Sequence, residues 1–275
     1  MIGIQIPETV NYFVAKLGNI PDISCVLRLV FDCLKKLSAQ PGLVQRFLKF
    51  LTGSQEMTNL TLIIGNKNYS SWSLRPWIFM KHFDLEFQEK RIALFTETTE
   101  QELAPYFSDY KVPILLDGDF TVWDSLSILE YLSENYLSFK GWPADKKARA
   151  FARSISAEMH SSFSNVRNEL PMNCRKKFSN IKLSSEASRE IQRIKDIWQK
   201  ARSQFGSSGE WLFGDYSIAD AMYAPIALRF AGYSIPLTGI EEAYVQTVRK
   251  HPHIIEWIEA GKLEKEVIAM DEIDD

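Results

Sequence analysis

The sequence predicts an α/β unit with the element order βαβ-α-ββα, followed by an all-α region. Three observations carry this. Short β-rich and helix-periodic runs alternate from residue 60 to residue 136. Asp117-Gly118-Asp119 separates two short apolar runs, the pattern of a tight hairpin whose turn needs positive φ. Beyond Gly141-Trp142-Pro143 only helical periodicity remains.

The elements follow in order. Residues 60–64 (LTLII) are an apolar run too short for a helix and stopped by Gly65-Asn66, which reads as a buried strand. A helix is expected over about 73–83, with Ser70, Ser71 and Ser73 at its start and Pro76 placed in its first turn, where a missing N–H is harmless. Residues 86–92 suit a second strand, and 99–107 a short helix with acidic residues in its first turn. Residues 113–116 and 120–123 form the hairpin, and 125–136 a helix with Leu126, Leu129, Leu132 and Tyr136 on one face. A right-handed crossover between the first two strands gives a four-stranded mixed sheet covered by helices.

In the all-α region, apolar residues recur at three and four from Ala148 to Leu170, predicting one long helix over 145–170. A second helix carries Ile191, Ile194, Trp198, Ala201 and Phe205. Ser217-Ile218-Ala219-Asp220 is a capping box that opens an unusually apolar, and so buried, helix with Pro225 inside it. Residues 237–265 supply one or two more helices.

Residues 1–56 stand apart. Two short amphipathic helices fit residues 25–37 and 43–51, either docked on the main body or on a partner; alternatively Met57 is the true start and the stretch is mis-assigned. It has neither the length of apolar run a membrane span needs nor the layout of a secretory signal. The expected division is therefore 1–56 as an extension, 57–140 as the α/β domain and 145–268 as the helical domain.

Composition narrows the function classes. The 275 residues are 45% apolar and 24% charged, with net charge −3, so no bulk basic field recruits nucleic acid or an anionic membrane. Three scattered cysteines argue for a reducing, cytoplasmic setting rather than a disulfide framework. No metal-ligand spacing occurs, and His251 and His253 sit on an expected surface segment.

Three local patterns carry a family resemblance: Ser70-Ser71-Trp72-Ser73 at the first strand–helix junction, Lys111-Val112-Pro113-Ile114-Leu115 before the third strand, and Asp124-Ser125 opening the helix after the hairpin. In that order and spacing they resemble the cytosolic glutathione S-transferases, with a bacterial-type, serine-type (zeta-like) loop. The likeness spans residues 60–263 and includes the Ser217–Asp220 box. It implies a thioredoxin-like domain that binds glutathione, an all-helical domain that holds a second substrate, and a homodimer active in detoxification without a metal.

It also implies roles. Ser71 or Ser70 would donate to the glutathione thiolate; Ser71 is favoured as closer to the helix start, whereas zeta-type alignment points to Ser70. Ser73, Lys111, Val112, Pro113, Asp124 and Ser125 would bind glutathione, with Val112-Pro113 cis and the Val112 backbone pairing with the tripeptide. Ser125 and nearby N–H groups suit its γ-glutamyl carboxylate and Asp124 its ammonium; Ser73 also reads as a helix cap. Trp72 replaces the zeta-type cysteine, which removes a mixed-disulfide route at that position. Met159, His160, Phe163 and Arg167 would line the second-substrate pocket, with His160 and Arg167 seven apart on one helical face and suited to an anionic or carbonyl-bearing electrophile.

The chemistry implied is thiolate addition to, or displacement on, a small hydrophobic electrophile. The competing readings are a glutathione-dependent cis–trans isomerase of a maleyl-type diacid, which a cationic pocket would favour, and a non-catalytic binding or regulatory protein, which would have lost the serine or the acidic-Ser pair. A membrane-attached protein is the remotest reading.

Overall fold

The computed structural model describes residues 60–273. The expected helices in 1–56, and the boundary at 56–57, lie outside the described residues. Strand β1 (Leu60–Ile64) is the centre of a four-stranded sheet of order β2-β1-β3-β4. It runs parallel to β2 (Gln88–Arg91), with Ile63 opposite Lys90. It is antiparallel to β3 (Ile114–Asp117), with Ile63 opposite Ile114. Strand β4 (Phe120–Trp123) closes the hairpin, Leu115 facing Val122. Strand β1, apolar except for Thr61, is thus an interior strand, and charged, exposed β2 is an edge, where lysine and glutamate discourage further pairing.

Helix α1 (Ser71–His82) packs against the sheet and buries Ser71 and every residue from Ser73 to Met80. It starts two residues earlier than the sequence suggests, so Pro76 lies inside the helix rather than in its first turn and deprives the Trp72 carbonyl of its helical donor. Helix α2 (Thr99–Leu103) is shorter than expected; α3 (Ser125–Leu137) follows the hairpin.

The one long helix expected over 145–170 is two. Helix α4 (Lys146–Ser161) stops, Phe163 adopts a left-handed φ of 63°, and α5 (Ser164–Glu169) restarts. Apolar spacing continues through the break because Phe163 and Val166 both stay in the core. Glu190 compensates the new helix start, accepting from the Asn165 side chain at 2.7 Å and from the Val166 backbone N–H at 2.9 Å. Glu190 belongs to α6 (Ser185–Phe205).

Helix α7 (Ile218–Gly232) is the buried central helix anticipated from its apolar sequence, and its capping box is present. Asp220 also accepts from the Leu212 N–H at 3.0 Å, and burial raises its carboxyl to a pKa of about 6. Helices α8 (Gly239–Lys250) and α9 (Pro252–Leu263) complete the layer, and a 3₁₀ turn (Ala269–Asp271) ends the described chain. Among the described residues no helix is long and apolar enough to cross a membrane.

His251, expected at the surface, instead joins the α8–α9 corner to the end of α1. Its Nε2 lies 2.9 Å from His82 Nδ1, and the His82 ring stacks on Tyr216 at 3.8 Å. The His253 N–H donates to His251 Nδ1, so the neutral His251 carries its proton on Nε2 and donates to His82. Burial depresses both imidazoles from 6.5 to about 4. Because the unfolded chain takes up these protons at higher pH than the folded one, unfolding free energy falls as pH drops from about 6.5 toward 4. Urea titrations across that window should show the slope, and His82→Phe should flatten it; an unchanged slope would mean that the pair does not set it.

Candidate active site

The site forms where β1 ends and α1 begins. Loop residues 65–70 make tight backbone bonds, with Tyr69 and Ser70 N–H groups donating to the Asn66 carbonyl at 3.1 and 2.8 Å. Distant residues hold this loop. Glu264, just past α9, accepts from the Lys67 and Asn68 N–H groups at 2.7 and 3.0 Å. Arg175 donates through its backbone to the Asn68 side chain at 3.0 Å and through Nη1 to the Glu264 carbonyl at 2.8 Å. The Tyr69 hydroxyl donates to Glu272 and accepts from Arg175. Gly261 of α9 lies directly beneath; a Cβ there would sit 3.0 Å from the Asn68 nitrogen.

The three serines fare differently. Ser70 is the N-cap, yet its hydroxyl donates to Ser73 Oγ at 2.8 Å instead of capping the helix. Ser73 is fully buried inside α1 and accepts from the Gly65 N–H at 3.1 Å, so it braces the junction, caps nothing, and does not line the cavity. Ser71, the first residue of α1, accepts from Arg229 Nη2 at 3.2 Å. Its own proton has no acceptor among the described residues.

Ser70 and Ser71 open onto a cavity of about 570 Å³ together with Trp72, Lys111, Val112, Arg167, Met172 and Arg229. The Val112-Pro113 peptide is cis, as the resemblance implied. Lys111 is exposed and paired with Asp109 at 2.6 Å. Asp124, not Ser125, caps α3, its carboxylate accepting from Leu126 and Ser127 at 2.9 and 3.3 Å. Ser125 is buried and accepts from Arg75 Nη1 at 3.3 Å.

Asp124 lines a neighbouring cavity with His160 rather than the one beside Ser71. Trp72 connects the two. The Arg75 and Arg167 guanidinium carbons lie 4.2 and 4.6 Å from its ring centroid, and His160 meets it edge-on at 5.4 Å. His160 in turn lies 3.2 Å from Asp124.

Of the four residues expected to line the second-substrate pocket, Arg167 alone reaches the cavity beside Ser71. Met159 and Phe163 are core residues, 0% and 4% exposed. His160 and Arg167 do not share a helical face, because the chain breaks between them; they flank Trp72 from separate helices. Sequence reading missed Arg75 and Arg229. A readable signal existed: each is the basic residue within an otherwise apolar stretch of a buried helix, where an unpaired charge demands a reason.

Burial lowers the proton affinity of all three guanidiniums, and neighbouring arginines lower it further for Arg75 and for Arg229, the latter to about 10, while Glu190 opposes the shift at Arg167; they remain cationic at neutral pH. Among the described residues no group of three or more His, Cys, Asp or Glu is arranged to hold a metal.

A parallel βαβ unit joined to a ββα unit, with a cis-proline before β3 and a hydroxyl-rich helix start facing a cavity, defines a thioredoxin-like domain carrying a helical domain. Residues 69–135, about a quarter of the chain, match the glutathione S-transferase N-terminal domain family. The chain is 42% identical over 69 residues to a dichloromethane dehalogenase of Methylophilus leisingeri, covering 23% of this chain and 25% of that protein. The chain thus spans only about a quarter of that relative's length. Over 206 residues it is 25% identical to glutathione S-transferase 1 of Dianthus caryophyllus, covering 70% of this chain and 90% of that one. A Burkholderia glutathione transferase homologue solved with bound glutathione shares the fold at a TM-score of 0.55 and 23% identity, covering 74% and 97%.

The close approach of α9 to the loop is testable. Gly261→Val should destabilise the protein by about 1–3 kcal/mol through overpacking and weaken glutathione binding by displacing residues 67–69, whereas Gly261→Ala should do much less. Thermal denaturation and calorimetric titration measure the two effects; a fully tolerated valine would contradict the packing.

Proposed function

We propose that the protein is a glutathione transferase in which Ser71 stabilises the thiolate of bound glutathione for attack on a small electrophile. The observation that carries this is the split between the serines. The Ser70 hydroxyl spends its proton on Ser73, while Ser71 accepts from Arg229 and keeps its proton for a ligand. A hydroxyl polarised by a guanidinium and placed in the first turn of a helix stabilises a nearby sulfur anion. A free thiol titrates near roughly pH 8.5, so each unit by which the site lowers that value enlarges the thiolate fraction at neutral pH.

On this reading glutathione lies along the β3 side of the cavity. The Val112 backbone, held outward at the cis Pro113, pairs with the cysteinyl unit, and Lys111 meets the glycyl carboxylate. The γ-glutamyl end of glutathione reaches past Trp72 to the neighbouring cavity, where Asp124 takes the ammonium and the adjacent Ser125, bonded to Arg75, turns to the carboxylate. Sulfur then bonds to the electrophilic carbon, and the displaced group leaves with its bonding pair or, in an addition, the neighbouring carbon gains a proton. The two domains, 57–140 and 145–268, supply the glutathione and electrophile halves. A cytoplasmic homodimer is the setting the resemblance implies. A second reading, cis–trans isomerisation of a maleyl-type diacid by addition and loss of the same thiolate, draws support from the guanidiniums of Arg167 and Arg229 at the cavity.

The test follows thiolate absorbance of bound glutathione against pH. Ser71→Ala should raise the bound thiol pKa by about one unit or more and lower kcat/KM about 10- to 100-fold, the range for losing a hydrogen bond to a charged group. Ser70→Ala should shift the pKa by much less. Equal effects would remove the assignment to Ser71, and an unshifted thiol in the unsubstituted protein would indicate a carrier rather than a catalyst.

A further inference from the structure

Arg75, Arg167 and Arg229 converge on the start of α1, and none forms an ion pair with a carboxylate among the described residues. Arg75 is 1% exposed and Arg229 6%. Removing a charge from water without a counter-ion is among the costliest arrangements a fold can hold. The partners present are neutral: hydroxyls for Arg75 and Arg229, the Trp72 ring for Arg75 and Arg167, and main-chain carbonyls for Arg167 and Arg229.

Two of the three face the cavity. Arg167 donates through Nε to the Ser162 carbonyl at 3.1 Å and through Nη2 to the Met159 carbonyl, both near the end of α4. Arg229 donates through Nε to the Leu170 carbonyl at 2.7 Å and through Nη2 to Ser71. A guanidinium has five N–H donors in a rigid fork, so each side chain is pinned at one edge while Nη1 has no acceptor among the described residues. Both side chains line the cavity. Among the described residues the carboxylates lining the same cavity, Glu100 and Asp271, form no hydrogen bond or ion pair with either arginine, although the charge of Asp271 acts on Arg229. The remaining wall includes Trp72, Leu94, Phe95 and Ile268, which is apolar.

We infer that Arg167 and Arg229 form a carboxylate-binding subsite for the second substrate, so that the electrophile is an amphipathic acid: an apolar body against Trp72 and Ile268 and an anionic group in the two forks. The inference rests on the transferase reading and narrows it from a small electrophile to an acidic one. Arg229 then serves both reactants, polarising Ser71 with one nitrogen and holding the acid with another. The acid enters from the helical domain, whereas the carboxylates of glutathione belong to the sheet side of the cavity, so loss of Arg167 should leave glutathione affinity nearly intact.

The test uses stable ligands and needs no turnover. Binding of S-benzylglutathione is compared by calorimetry with that of S-(3-carboxybenzyl)- and S-(4-carboxybenzyl)glutathione, which add one carboxylate at the electrophile end. At least one carboxylated ligand should bind about tenfold or more tightly than S-benzylglutathione, and Arg167→Gln should abolish that preference. Arg229→Lys, which keeps a charge in case removal prevents folding, should reduce it. Equal binding of all three ligands by the unsubstituted protein would overturn the carboxylate subsite and leave the transferase reading standing. Failure of S-benzylglutathione itself to bind would overturn the glutathione site and the inference with it. An Arg167→Gln protein that loses stability but keeps the preference would reduce Arg167 to a clamp on the end of α4.

Discussion

Everything at the site depends on the enclosure of α1. The helix has the sheet on one side and α7 and α9 on others, and its residues from Ser73 to Met80 are all buried. A helix packed all round cannot rotate or slide without opening voids in a close-packed interior. Its first turn is therefore fixed relative to the rest of the domain. That fixity lets two adjacent serines acquire different partners, since Ser70 is a non-helical cap and Ser71 already belongs to the first turn. Ser70 points into the junction and meets Ser73; Ser71 points toward α7 and meets Arg229.

The loop before α1 has little packing of its own, and its order comes from far along the chain. Glu264 and Arg175 satisfy its backbone and side-chain polar groups, and Gly261 lets α9 approach its main chain. Satisfying backbone N–H groups in a partly buried loop with a carboxylate is strong because the acceptor is charged. Unfolding the segment after α9 would release two of those donors at once, which couples the end of the described chain to the position of Ser70 and Ser71.

Much of the fold was legible because its signals are local. LTLII, Asp117-Gly118 and the Ser217–Asp220 box each specify geometry through their own residues, and the structure has a strand, a hairpin and a capped helix there. The break at Phe163 was not legible, because the apolar period runs on through it and the residue that satisfies the new helix start, Glu190, lies on another helix. Met159 and Phe163 were assigned to a pocket for the same reason: period shows that a face is apolar, not whether it meets a core or a cavity. The acidic-Ser pair was found, but its division of labour, with Asp124 as cap and Ser125 bonded to Arg75, needs three-dimensional neighbours. Arg75 and Arg229 were passed over as isolated charges, although a charge in a buried apolar helix is a stronger signal than one on an amphipathic helix.

The arginines also bear on the nucleophile. A thiolate beside Ser71 is itself an anion within the field of Arg229, so the charge that would recruit an acidic substrate also stabilises the attacking sulfur. The two demands compete. Once a carboxylate occupies the forks, it offsets part of the positive field, and two anions a few ångströms apart repel in a partly desolvated cavity. On the proposed reading, docking of the acid would raise the thiolate's reactivity, because a less stabilised anion is the better nucleophile, while Ser71 would keep one directed hydrogen bond to the sulfur. Three buried or half-buried cations without a direct ion pair among the described residues, reached by Asp124, Glu190 and Asp271 only through their charge, are poorly explained as scaffolding, since scaffolding would pair them directly. They are explained by a cavity whose working state contains two negative charges.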